Sequence, residues 1–174
     1  MSNPSPCSSS KPVPDRAIEV DVPSQTLVLR DRAGRVLFEA RVATARNGPG
    51  ERRHSECTPR GRHIVRAKIG AGQPLNAVFV SRRPTGEIYS PELRGLYPNR
   101  DWILTRILWL SGLEPGRNRL GEVDTMRRYI YIHGCPDEDP MGVPSSRGCV
   151  KMRNTEIVTL YDLVPPGTPV TIRG

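Results

Sequence analysis

Apolar and polar residues alternate with a period of two along much of the chain's first half. Ile18, Val20 and Val22 interleave with Glu19 and Asp21, the pattern of a half-buried strand. Pro23-Ser24-Gln25 turns the chain into a second strand at 26–30, with Leu27 and Leu29 on one face. After Asp31-Arg32-Ala33-Gly34 the alternation resumes through Val36, Phe38, Ala40 and Val42, so the opening predicts a β-meander. Apolar runs at 63–69, 77–80, 102–110 and 129–133 predict further strands, the third a central one. In the last, Ile130 and Ile132 face away from Tyr129, Tyr131 and His133. Only 154–164 reads as a helix: Asn154 or Thr155 caps it, and Ile157, Leu160, Tyr161 and Val164 share a face. Pro165-Pro166-Gly167 stops it, and a strand at 169–172 closes the chain.

The intervening stretches 45–62, 81–101 and 111–126 are polar and rich in Gly and Pro. The segment 81–101, with Pro84, Gly86, Pro91, Gly95 and Pro98, predicts a long loop carrying at most a short helix; loops of that length commonly wall a binding cleft. The pattern therefore predicts a mainly β fold, a sandwich or barrel of mixed sheets with one helix near the C-terminus. It occupies 16–174 as one domain behind a disordered Ser/Pro-rich leader at 1–15, and no internal repeat is visible.

Composition narrows the function. Eighteen prolines and sixteen glycines among 174 residues suit a turn-rich β domain. The net charge is +8, and all but Lys11, Lys68 and Lys151 of the 26 basic residues are arginine. The arginines are scattered and few aromatics accompany them, which favours a solvated basic surface over a nucleic-acid site; a non-catalytic polyanion-binding module stays open as an alternative. No stretch approaches the length of a membrane span, and the N-terminus shows no apolar signal-peptide core. Cys7, Cys57, Cys135 and Cys149 form no CxxC pair, against a zinc ribbon or thioredoxin-like site. An irregular zinc site from His54, Cys57, His63, His133, Cys135 and Cys149 is a further alternative.

The chemistry concentrates between Tyr131 and Asn154. A strand delivers His133 to its C-terminal end, a Gly/Pro-rich loop follows, and Ser146-Arg147-Gly148-Cys149 precedes the helix. A thiol needs a base or nearby positive charge to act as a nucleophile at neutral pH; His133 offers the first, and Arg147, Lys151 and Arg153 the second. Gly148 removes bulk where a carbonyl approaches, and the N–H groups of Gly148 and Cys149 suit a developing oxyanion. Read from residues alone, Cys149 as a small buried hydrophobe and His133 as a hydrogen-bonded structural residue remain equally open.

Ile132-His133-Gly134, the run Gly142-Val-Pro-Ser-Ser-Arg-Gly-Cys-Val-Lys-Met-Arg-Asn154 and Leu160-Tyr-Asp-Leu-Val-Pro-Pro-Gly-Thr-Pro-Val-Thr-Ile172 together resemble the signature of the L,D-transpeptidase catalytic domain, the YkuD-type family. Thr58-Pro59-Arg60-Gly61 is similar to that family's T-P-x-G element, and the resemblance covers roughly residues 16–173. It implies an L,D-transpeptidase-like β fold and a peptidoglycan enzyme without a cofactor or metal. Cys149 would attack the carbonyl of the third stem residue and expel a terminal D-alanine, with His133 as base and then acid. Gly134 would orient the imidazole through its backbone carbonyl, and Gly148 and Cys149 would hold the oxyanion. The acyl-enzyme would pass to an amine or to water, giving a cross-linking or a carboxypeptidase outcome. The resemblance also implies a monomer of the periplasm or cell envelope, acting on stem peptides as donor and acceptor.

The chain departs from the family pattern in placing Arg147 where histidine is common, so His133 alone must move the proton; Arg147 and Ser146 become candidates to hold substrate. Cys135 replaces a common threonine and is expected to be inert. Arg106, a charge within an apolar strand, is expected to meet a protein carboxylate or a substrate anion.

Overall fold

In the computed structural model, which describes residues 14–174, the alternating segments pair into one curled sheet of ten strands. The meander is β1 (Arg16–Asp21), β2 (Thr26–Asp31) and β3 (Val36–Arg41), joined antiparallel, with Ile18 opposite Leu29 and Leu27 opposite Ala40. The remaining elements are β4 (Gly61–Ile69), β5 (Ala77–Val80), β6 (Arg83–Ile88), α1 (Pro91–Leu96), β7 (Ile103–Gly112), β8 (Tyr131–Gly134), β9 (Val150–Met152), α2 (Asn154–Leu163) and β10 (Pro169–Arg173). The strand order is β3-β2-β1-β10-β4-β7-β5-β6, with β8 on the other edge of β7 and β9 beyond it. Two pairings, β1 with β10 and β8 with β9, are parallel; both join segments separated by a helix or long loop, as parallel pairing requires.

The core explains why the period-two pattern was readable. Ile18, Leu27, Leu29, Val65, Leu108, Leu110, Ile132 and Val170 point to one side of the sheet, where α2 brings Ile157, Leu160 and Tyr161. Each fully buried aliphatic side chain contributes about 1.5–3 kcal/mol, so this face holds the domain together. The opposite face of β7 and β8 carries a smaller cluster of Phe79, Ile107 and Tyr131, against which Cys149 packs. Consecutive residues Ile107 and Leu108, and Tyr131 and Ile132, thus serve different clusters.

The segment 81–101 is not a long loop. It holds β6, the short helix α1 with Ser90 as its cap, and a hairpin turn at Ser81-Arg82. Pro84 and Gly86 suggested a loop, but β6 is the sheet's edge strand, where a missing N–H breaks no ladder. The three-residue β9 is too short to leave a periodic signature. The cap of α2 is Arg153 through its backbone, not Asn154 or Thr155; the Asn154 side chain is used elsewhere. The expected leader at 1–15 lies outside the described residues except for Pro14 and Asp15. Among the described residues no helix is long and apolar enough to cross a membrane.

Candidate active site

β8 and β9 run parallel with Ile132 opposite Val150 and His133 opposite Lys151, so the residue leading into β9, Cys149, lies beside Tyr131. The Tyr131 N–H donates to Cys149 Sγ at 3.3 Å, and the sulfur lies 3.5 Å from the Tyr129 carbonyl oxygen. His133 follows Tyr131 by two residues on the same strand face. Cys149 and His133 line one cleft of about 380 Å³, walled by Arg82 of the β5–β6 hairpin, Asp101, Tyr129 and Arg147.

The imidazole's protonation follows from its partner. His133 Nδ1 lies 2.7 Å from the carbonyl oxygen of Gly134, and an oxygen that only accepts requires hydrogen on Nδ1. Nε2 then carries the lone pair. Burial holds the imidazole's pKa below its usual 6.5, against the opposing pull of Asp101 and the Gly134 carbonyl. Burial also pushes the Cys149 thiol up to about 12, which the Tyr131 N–H only partly offsets. The expected help from neighbouring cations is outweighed: Arg128 and Lys151 lower the thiol's pKa, but by less than burial raises it. Lys151 is spent on Asp139 at 2.8 Å, Arg153 donates to the carbonyls of Asp137 and Asp139, and Arg147 is solvent-exposed. A neutral thiol and a neutral imidazole thus line the same cleft.

The turn before Cys149 is tightly built. Gly148 has φ +130°, and a Cβ there would lie 3.0 Å from Ile130 Cδ1 and 3.3 Å from the Cys57 carbonyl oxygen. Its N–H donates to Ser146 Oγ at 3.1 Å, and the Ser146 hydroxyl donates to the Cys149 carbonyl. Buried Thr58 donates to the Gly148 carbonyl and accepts from the Ala45 N–H, both at 2.9 Å. The T-P-x-G element thus supports the turn before Cys149 from behind. Two expected roles change accordingly. Ser146 organises the turn with its hydroxyl already occupied, and the Gly148 N–H is engaged; the Cys149 N–H has no hydrogen-bond acceptor among the described residues.

A buried network lies behind the imidazole. Asn154 Nδ2 donates to the Cys135 carbonyl at 2.8 Å, and the Thr105 hydroxyl donates to Asn154 Oδ1 at 2.6 Å. Thr105 sits at φ 72° in the bulge that shifts the β7–β8 register. A Cβ on Gly134 would meet Asn154 Oδ1 at 2.5 Å and the Leu104 carbonyl at 2.7 Å. Gly134→Ala is therefore expected to destabilise the protein by about 1–3 kcal/mol. Turnover should fall by about 100-fold, because the carbonyl that orients His133 must shift. Denaturant unfolding and steady-state kinetics on the same preparation check both.

Arg106 does not join the site. Its Nη1 donates to the Gln73 and Thr105 carbonyls, each at 2.7 Å, and its guanidinium lies 5.5 Å from the Tyr161 ring. Backbone oxygens and an aromatic face take the place of the expected carboxylate or substrate anion. Cys135 is buried with its thiol pushed up to about 12 by desolvation and bonded to the Met152 carbonyl at 3.3 Å. His63 is also buried, its pKa lowered to about 4 by desolvation, between the Gly61 carbonyl and Thr125. Among the described residues no three His, Cys, Asp or Glu side chains gather as a metal-holding group. Asp101, Arg82 and Tyr131, which line the cleft, were not singled out from sequence; Asp101 lies at the end of a stretch that read only as loop.

The model of the L,D-transpeptidase catalytic domain family, YkuD, matches residues 15–172. The chain belongs to this family. YkuD of Bacillus subtilis, whose name classes it with the L,D-transpeptidases, is 37% identical over 46 residues, which is 26% of this chain and 28% of that protein. YqjB of the same organism is 42% identical over 45 residues, 26% of each chain. The aligned stretches span just over a quarter of these curated relatives. Among solved structures, an L,D-transpeptidase from Mycobacterium smegmatis superposes with a TM-score of 0.54 at 18% identity, over 92% of this chain and 59% of that one. Residues 123–326 of the Xylanimonas cellulosilytica enzyme give 0.53 at 21%, over 99% and 65%. At those identities the structural matches establish a shared fold, that of an L,D-transpeptidase domain.

Proposed function

We propose that this L,D-transpeptidase-family domain transfers the acyl group of a peptidoglycan stem peptide through a thioester on Cys149, with His133 as the base. The observation that carries this reading is one cleft holding a free thiol and an imidazole whose Nδ1 hydrogen is committed to Gly134, leaving Nε2 for the thiol proton. Sulfur attacks the stem carbonyl as His133 takes its proton, and the Cys149 N–H faces the developing oxyanion. Collapse expels the D-alanine amine, which takes the proton back from His133 and leaves a thioester. An incoming amine or water then reverses the sequence, His133 removing its proton and the thiolate leaving. Support also comes from two fold neighbours: L,D-transpeptidase 3 from Mycobacterium tuberculosis holds a faropenem-derived adduct, and another is a carbamoyl enzyme formed with avibactam.

Action on peptidoglycan stem peptides would require access to the cell envelope. Arg147, exposed beside Cys149, is the side chain best placed to take a stem carboxylate. Hydrolysis to the tripeptide uses the same intermediate, so only the acceptor differs. Intact mass spectrometry after exposure to a stem tetrapeptide tests the reading. The expected adduct has the mass of the peptide less D-alanine and maps to Cys149; modification elsewhere, or none, counts against it.

A further inference from the structure

The cleft at Cys149 continues into a second cavity of about 220 Å³, with which it shares Arg128, Tyr129, Ile130 and Arg147. The second cavity adds Arg53, His54, Glu56 and Arg127, so four guanidiniums face one carboxylate. Arg53, Arg127 and Arg147 are exposed, and no described side chain forms an ion pair with them. The surface on the other side of Arg147 behaves differently. There Arg94 and Lys151 share Asp139 at 2.8 Å each, and Arg100 is paired with Glu87 at 2.7 Å. The fold thus pairs Arg94, Arg100 and Lys151 of that flank, with Arg46 exposed and unpaired there, whereas none of the exposed arginines Arg53, Arg127 and Arg147 is paired, at an electrostatic cost that an anionic ligand would offset.

The unpaired flank is also rigidly built. Arg128, beneath it, donates to the carbonyls of Gly50, Glu51 and Cys57 at 3.2, 3.0 and 2.6 Å and to Ser55 Oγ at 3.3 Å. Its own hydrogen-bonding capacity is spent on holding the 50–57 loop. That loop carries His54 at φ 63° and Glu56 at φ 54°, two non-glycine residues in the left-handed region. Such strain persists only where surrounding contacts over-determine it, and it recurs at ligand-binding rims. The Arg53 N–H donates to the Glu122 carbonyl at 2.7 Å, which ties the loop to the segment leading toward Arg127.

We propose that Arg53, Arg127 and Arg147 form an anion subsite that selects stem peptides bearing free side-chain carboxylates over stems in which those carboxylates are amidated. This deepens the proposed function and rests on it. A peptide whose carbonyl lies at Cys149 passes Tyr129 and Arg147 directly into the second cavity, where planar guanidiniums match a carboxylate's two oxygens. An amide offers one acceptor and no charge.

Equilibrium binding to the full chain carrying Cys149→Ala tests the subsite without turnover. A stem tetrapeptide with free side-chain carboxylates is titrated against the same peptide amidated, at about 50 and 500 mM salt. The free form should bind about tenfold more tightly at low salt, with the gap narrowing as salt screens the charges. Adding Arg53→Gln and Arg127→Gln should reduce the preference to less than about twofold, and thermal melting of that variant verifies its fold. Equal affinity for both peptides, no binding of either, or a preference that survives the double substitution would overturn the subsite. Selective binding without a Cys149 adduct in the unaltered chain would instead overturn the catalytic reading.

Discussion

Cys149→Ala is expected to lower stem-peptide turnover by at least about 10⁴-fold while leaving the domain folded, since removal of a nucleophile from a coupled pair costs nearly the whole chemical acceleration. The sulfur's contribution to stability is small by comparison. It accepts one long bond from the Tyr131 N–H and packs at the edge of the lesser cluster, so its loss should cost about 1 kcal/mol or less. A measured loss of activity with an unchanged unfolding midpoint separates chemistry from folding. Cys149→Ser should fail almost as badly, because a hydroxyl is far harder to deprotonate than a thiol. Turnover retained in either variant would move the nucleophile elsewhere, with the half-buried Cys57 the first alternative.

Local spacing made part of this site legible: the alternation around Ile130 and Ile132 set His133 on the opposite face of its strand, where it lines the cleft. The run ending in Gly148-Cys149 drew its meaning from the resemblance to the L,D-transpeptidase signature, and Cys149 lines the same cleft. What was hidden depends on contacts between distant segments. Asn154 read as a helix cap because capping is its commonest use before an apolar face. In the fold it instead bonds Cys135 and Thr105, a role set by a β7 bulge that no spacing announces. Arg106 looks anomalous within an apolar strand, where a protein carboxylate or a substrate anion is expected; the fold instead gives its Nη1 the carbonyls of residues 73 and 105 and its guanidinium an aromatic face, and leaves Nε unpartnered. Arg147, Lys151 and Arg153 all stand within four residues of the thiol, yet only Lys151 lowers its pKa, and by less than burial raises it. Asp139 and two carbonyls captured the second and third.

That redistribution of charge gives His133→Gln its expected signature. With the thiol pushed to about 12, essentially no thiolate exists at neutral pH, and attack requires proton transfer to Nε2. Removing the imidazole should lower kcat/KM near pH 7 by about 10³- to 10⁴-fold, the range of general-base catalysis at its upper end. The pH profiles should differ in shape as well as height. Burial depresses the imidazole's pKa, so the unaltered enzyme keeps its base unprotonated at and above pH 6.5 and loses activity only as the pH falls through the lowered value. The same sign governs stability: an unfolded chain binds the His133 proton more readily, so this contribution is present above 6.5 and is lost on acidification. Above neutrality kcat/KM should stay flat through pH 9, because the base is already free and the thiol still protonated. In the glutamine variant the residual rate should instead climb about tenfold per pH unit, following the small thiolate fraction. A wild-type profile that rises with an apparent pKa near an ordinary thiol's would mean that the sulfur ionises before substrate binds, and the neutral-pair mechanism would fail.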